Sequence, residues 1–137
     1  MTDAVKKDRP EFRNIHFIKD LPNYRMPLAS VVSFAHRVSG ALLVLLLPLV
    51  LFLLDTSLAN ETSFDYFKVF SSGWCVKLAI LAMAWGYLQH FCSGIRHLIM
   101  DLHVGLDKDS ARQSATSVLV VSLTLTSLVG FKLFGVF

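Results

Sequence analysis

Ser33, Arg37 and Gly40 fall at i, i+4 and i+7 of one short stretch, SFAHRVSG, with His36 three residues beyond the serine. On a helix the first three share a face, and His36 lies about 100° round from Arg37. A hydroxyl and a fixed cation on one face can line a cavity for an anionic or carbonyl-bearing ligand. A second set follows, in which Gly86, His90, Ser93, Gly94 and His97 stand at i, i+4, i+7, i+8 and i+11. Such a narrow face of small residues and imidazoles lets a flat macrocycle approach the backbone while a histidine reaches its iron. Neutral imidazole is the usual axial ligand of b-type haem. His90 and His97 are about 10.5 Å apart along a helix axis, whereas two axial nitrogens across one iron are about 4 Å apart. They cannot both serve one haem, and His90, the deeper of the two, is the better ligand.

Each set also has a plain structural account. Arg37 can snorkel to the headgroups from a turn or two inside a membrane. His90 can be satisfied by a serine or a carbonyl on a neighbouring helix. Ionisable groups within apolar spans are costly and usually mark a function. The residues alone leave both accounts standing.

The elements that must carry these residues are membrane helices. The chain has 137 residues, 54% of them hydrophobic, with mean hydropathy +0.57, too apolar for an ordinary soluble domain of this size. Three windows contain no charged residue: Val38–Leu54, Leu78–Ile95 and Gln113–Phe131. Each approaches the roughly 20 residues that a spanning helix needs. Extended by a turn into their amphipathic ends, they predict transmembrane helices near 30–54, 75–98 and 114–136. The whole of 1–137 then reads as a single all-α membrane domain, with residues 1–29 as an irregular arm. A soluble helical hairpin would lack the polar surface to dissolve. The runs are continuous and Leu-rich, without the alternation of barrel strands.

Charge gives the orientation. Six Lys/Arg precede the first span, and Arg96, Lys108 and Arg112 flank the second connection, against Lys68, Lys77 and Lys132 on the other side. Nine against three predicts a cytoplasmic N-terminus and a periplasmic C-terminus. The first 25 residues mix basic and acidic side chains, unlike a signal or transit peptide, so the chain reads as a complete bacterial protein, multi-pass in the inner membrane. The net charge of +3 is therefore a topology signal, and the clustered basic face of a nucleic-acid binder is absent. Cys75 and Cys92 stand roughly 25 Å apart on the second span, too far for a disulfide, and read as small packing residues.

Between the first two spans, FDYFKVF predicts a short interfacial helix, with Tyr66 and Trp74 at the headgroups. Pro27 suits the first turn of the first span, Pro48 bends it, and Asp109 or Ser110 caps the third. That third helix is rich in Ser and Thr, which bond their own backbone and permit close contact. It reads as packing.

Three segments together resemble a known family: Arg9–Pro10, SFAHRVSG (Ser33–Gly40) and HFCSGIRHLIMD (His90–Asp101). Their order and spacing, with three spans, are similar to the cytochrome b556 subunits of succinate dehydrogenase. The resemblance implies half of a heterodimeric haem-binding helix bundle. A second small membrane subunit would form the other half, holding an iron–sulfur subunit and a flavoprotein subunit at the membrane. It implies haem b with His90 as one axial ligand and the other axial histidine from the second anchor subunit; His36 is the lesser, intrachain alternative. It also implies Ser33 and Arg37 at a ubiquinone-reduction site, fed with electrons by the iron–sulfur subunit, and His36 and Arg37 near the haem propionates. A hydroxyl and a cation would stabilise charge growing on quinone oxygens, more strongly at low dielectric than in water. The chain itself carries no dinucleotide fingerprint and no cysteine set for an iron–sulfur cluster. It would take part in succinate:ubiquinone oxidoreduction without touching succinate. The other readings are the anchor of a fumarate reductase, a haem-free structural anchor and a transport subunit. Transporters often carry carboxylates within their spans, and the central spans have no Asp or Glu.

Overall fold

The computed structural model describes residues 17–20 and 24–136. Every described element is a helix: α1 (Phe17–Asp20), α2 (Leu28–Leu58), α3 (Glu61–Ser72), α4 (Trp74–Asp101) and α5 (Lys108–Leu133). Most of the arm expected over 1–29, including Arg9–Pro10, lies outside the described residues. The part described contains the single turn α1. Helices α2, α4 and α5 have 31, 28 and 26 residues and are long and apolar enough to cross a membrane. At 1.5 Å per residue they run roughly 39–46 Å, beyond a hydrocarbon layer of about 30 Å.

The ends differ from the sequence expectation for local reasons. Pro27 is the residue before α2 and not its first turn, because its ψ of 148° is extended. Helix α2 continues past Asp55 to Leu58, and Thr56 Oγ1 and Ser57 Oγ satisfy themselves there on the carbonyls of Phe52 and Leu54. A charge ends the apolar window without ending the helix. The cap of α5 is Asp107, not Asp109 or Ser110. Its backbone is extended and its carboxylate accepts the Ser110 N–H at 2.9 Å, one of the donors that the first turn leaves unpaired. That bond and the Ser110 side chain hold the Asp107 carboxyl below its ordinary pKa. Helix α5 stops at Leu133 because Gly135 adopts φ 75°. Val136 N–H then reaches Phe131 O and Gly135 N–H reaches Lys132 O, the paired bonds of a left-handed glycine stop.

Helix α4 packs against both α2 and α5, and α2 also touches α5. Because α4 runs against the other two, the start of α2, the end of α4 and the start of α5 lie at one end of the bundle. The apolar core there is small: Val32, Ala115 and Val118, with Leu28, Ala29, Cys92 and Leu119 around it. Cys92 thus packs as expected, whereas Cys75 is exposed. Large apolar side chains such as Val44 and Leu45 face outward, and Ser39, Gln89, Ser93, Arg96 and Ser122 are buried. In water this inversion would be costly; against lipid, polar groups belong between helices. Helix α3 is the expected short helix, capped by Asn60 on Ser63 N–H at 2.7 Å. Tyr66 and Trp74 are exposed, and Trp74 lies 5.0 Å from the Phe134 ring.

Candidate functional site

The shared end of the bundle gathers most of the polar residues singled out above. His36, on α2, points at α4 and stacks on His90, with ring centroids 4.2 Å apart and planes 15° from parallel. Its other neighbour is His97, at 5.1 Å. His36 therefore fills the two-turn gap between the α4 histidines, and the three imidazoles form a ladder. The packing is reciprocal at the backbone. A Cβ on Gly40 would lie 2.9 Å from His90 Cε1, and one on Gly94 would lie 3.7 Å from His36 Nε2.

His90 makes all its hydrogen bonds through one nitrogen. Nδ1 lies 3.1 Å from the His36 carbonyl oxygen and 3.3 Å from Ser39 Oγ. Nε2 has no hydrogen-bond partner among the described residues. The stacked rings also bear on the intrachain alternative. Two imidazoles sandwiching an iron would have centroids roughly 6 Å apart, given metal–nitrogen bonds of about 2 Å. Stacked at 4.2 Å, His36 and His90 leave no room for a metal between them. With Nδ1 bonded and Nε2 unbonded, His90 has one ring nitrogen that could serve one face of a haem. Gly86, one turn before it, has open space where a side chain would be. No cluster of three or more His, Cys, Asp or Glu suited to a metal ion occurs among the described residues. A porphyrin iron does not require one, since it takes one protein nitrogen per face.

Ser33 and Arg37 come together as their spacing predicts. Both line a groove of about 380 Å³ that also contains Arg96, His97 and Ala111. Arg37 is exposed and forms no hydrogen bond or ion pair among the described residues. Gly40, on the same stripe, does not line that groove; it meets His90 instead. His36 is likewise turned away, toward α4. His97 joins the two halves, because it touches the His36 ring and lines the groove.

Two features escaped the sequence reading. Arg96 is buried, with Nε donating to Ser114 Oγ at 2.9 Å and Nη2 to Ala111 O at 3.4 Å. Gln89 is 1% exposed and ties α4 to α5: Ser122 Oγ donates to its Oε1 at 3.0 Å, and its Nε2 donates to Ser93 Oγ at 3.1 Å. The hydroxyls of α5, assigned to packing, thus also pair with polar groups of α4. The available signal was a lone glutamine in a charge-free window with a serine at i+4.

The model of the family described as succinate dehydrogenase/fumarate reductase transmembrane subunit matches residues 11–129. A succinate dehydrogenase cytochrome b556 subunit from Coxiella burnetii is 37% identical over 113 residues, covering 81% of this chain and 90% of that one. One from Paracoccus denitrificans is 27% identical over 128 residues, covering 93% and 94%. A mitochondrial succinate dehydrogenase cytochrome b560 subunit from Dictyostelium discoideum is 31% identical over 120 residues, covering 81% of this chain and 58% of that one.

Proposed function

The chain belongs to the succinate dehydrogenase/fumarate reductase transmembrane subunits, and from that premise we propose that it binds haem b and helps to form a ubiquinone-reduction site. His90 Nε2 is one axial ligand, and a second small membrane subunit supplies the other histidine. Ser33 and Arg37 face the quinone, and His36 and Arg37 lie toward the haem propionates. An iron–sulfur subunit, itself joined to a flavoprotein subunit, docks on the cytoplasmic side of the bacterial inner membrane and delivers the electrons. The family includes fumarate reductase subunits, and we take succinate oxidation as the working direction because the relatives are named succinate dehydrogenase subunits.

The observation that carries the reading is the asymmetry of His90. An imidazole kept only for packing would leave the polar Nε2 of an intramembrane residue without a partner, which is costly away from water. An iron makes that nitrogen useful. When bound, the haem supplies a one-electron centre. The residues of this chain hold it and prepare the neighbouring groove. There the Ser33 hydroxyl can donate to a quinone carbonyl, and the uncommitted Arg37 cation favours charge on that oxygen. The guanidinium can also pair with a propionate, which offsets its own desolvation.

The test is a reduced-minus-oxidised spectrum of the purified complex, wild type and His90→Ala. A b-type band is expected in the wild type and its loss or change in the variant. Absence of the band from the wild type, or an unaltered band in the assembled variant, would refute haem ligation by His90. For the groove, Ser33→Ala and Arg37→Ala are expected to impair quinone reduction while succinate oxidation by a soluble acceptor persists. Unchanged quinone kinetics in both would remove them from the site.

A further inference from the structure

We propose that α2 carries a seat for the His90 ring, built from the His36 carbonyl, the Ser39 hydroxyl and the missing side chain of Gly40. The seat makes Ser39 and Gly40 positioning residues for the iron ligand. It rests on the reading of His90 as that ligand.

The hydrogen bonds fix the tautomer. A carbonyl oxygen only accepts, so the Nδ1 that faces the His36 oxygen at 3.1 Å must carry the ring proton. Ser39 Oγ gives its own proton to the same oxygen at 2.9 Å. Its lone pairs therefore face Nδ1–H at 3.3 Å and share that proton. With Nδ1 protonated, a neutral imidazole has its remaining ring lone pair on Nε2, the nitrogen with no hydrogen-bond partner. Histidines that bind metals almost always donate their other N–H to a carbonyl, carboxylate or water, which fixes the ring and raises its basicity. Here the acceptors come from the neighbouring helix, so the α2–α4 packing itself sets the ligand.

Gly40 makes that approach possible. A Cβ there would lie 2.9 Å from His90 Cε1 and 3.3 Å from Nδ1, tighter than van der Waals contact allows. Either the ring must shift off the carbonyl or α2 must back away from α4, and both disturb the Nδ1–H···O contact. The His36 ring, stacked at 4.2 Å, closes one face of His90 and opposes its rotation. Three residues of one helix turn, His36, Ser39 and Gly40, thus orient a nitrogen carried by another helix.

The experiment compares Ser39→Ala, Gly40→Ala and His90→Ala in the whole purified complex. It reads the low-spin EPR signal of oxidised haem and its midpoint potential. Ser39→Ala and Gly40→Ala are expected to keep bis-histidine haem with altered g-anisotropy. The potential should rise, because a less basic ligand favours ferrous iron, and the rise should be larger for Gly40→Ala. Wild-type EPR and potential in both variants, or a fall in potential, would overturn the seat. If Gly40→Ala does not assemble, Ser39→Ala decides by the same criteria. The two readings fail separately. An unaltered haem in His90→Ala defeats ligation by His90, whereas a changed haem there, with Ser39→Ala and Gly40→Ala unchanged, defeats only the seat.

Discussion

Two arginines line the groove beside Ser33, and their surroundings assign them different work. Arg96 is 6% exposed and donates to Ser114 and Ala111, so two of its N–H groups hold α4 against α5. Arg37, the one Lys or Arg on α2, is exposed and has no such commitments. Whether it serves a quinone or a propionate turns on the chemistry of the guanidinium. A growing charge on one carbonyl oxygen needs a nearby cation, and an ammonium can supply that. A carboxylate is best met by two parallel N–H donors, which lysine lacks. With the quinone as the main partner, Arg37→Ala is expected to lower kcat/KM for quinone by about 10²–10³-fold, as losing one oxyanion-stabilising donor does. Arg37→Lys should retain most of the wild-type value. Steady-state quinone reduction checks this, with a soluble acceptor as control. A lysine variant as poor as alanine would assign Arg37 chiefly to the propionate.

At the scale of the helices, α4 is the shared wall, held to α2 by the imidazole ladder and to α5 by Gln89 and Arg96. The Gln89 link makes an unequal prediction. In Gln89→Met combined with Ser93→Ala, both ends of the Gln89–Ser93 bond are removed together, Ser122 turns its proton wholly to the Leu119 carbonyl at 3.2 Å, and the volume is nearly conserved. The expected loss is that of an ordinary interhelical bond in a membrane, about 0.6 kcal/mol. In Ser122→Ala the buried Gln89 Oε1 loses its donor, and an unsatisfied buried acceptor costs about 1–3 kcal/mol. Thermal denaturation of the solubilised complex should rank Ser122→Ala below the Gln89→Met/Ser93→Ala double variant, although it removes fewer atoms; the reverse order would mean that the glutamine finds another donor. The same contrast shows what was legible in the sequence. The three spans were, because charge-free runs measure the membrane directly. The pairing of Ser33 with Arg37 was, because helical phase needs only one helix. The partners of Gln89 and His90 were not, because each depends on the relative rotation of two helices. Gly40 illustrates this: its spacing puts it on one stripe with Ser33 and Arg37, yet the helix facing it decides that it receives His90 and not the groove. Helix ends were legible only where punctuation was strong. Asp55 closed an apolar window but not a helix, since a carboxylate side chain removes no backbone hydrogen bond.

For the molecule as a whole, the distribution of charge determines on which side the imidazole ladder sits. Three spans put the two ends of α4 on opposite faces of the membrane, about 42 Å apart at 1.5 Å per residue. In the sequence nine Lys/Arg precede α2 or flank the α4–α5 connection, against three toward the opposite ends, and the positive-inside rule then predicts the start of α4 outside and its end inside. On that prediction the groove and His90 would lie toward the cytoplasm, within reach of the proposed electron-donating subunits; the opposite orientation would turn them away. The native cysteines make this testable. Cys75 is exposed at the start of α4, whereas Cys92 is half-buried along it. A membrane-impermeant maleimide is expected to label Cys75 in intact spheroplasts, with Cys75→Ser abolishing the signal. A cysteine introduced at Leu106, exposed in the connection between α4 and α5, should react only in inverted vesicles when placed in the Cys75→Ser background. The reversed pattern would turn the whole bundle over and detach the groove from any cytoplasmic donor. Labelling of both positions from one side would mean that α4 does not cross, removing the premise on which His90 lies within the membrane.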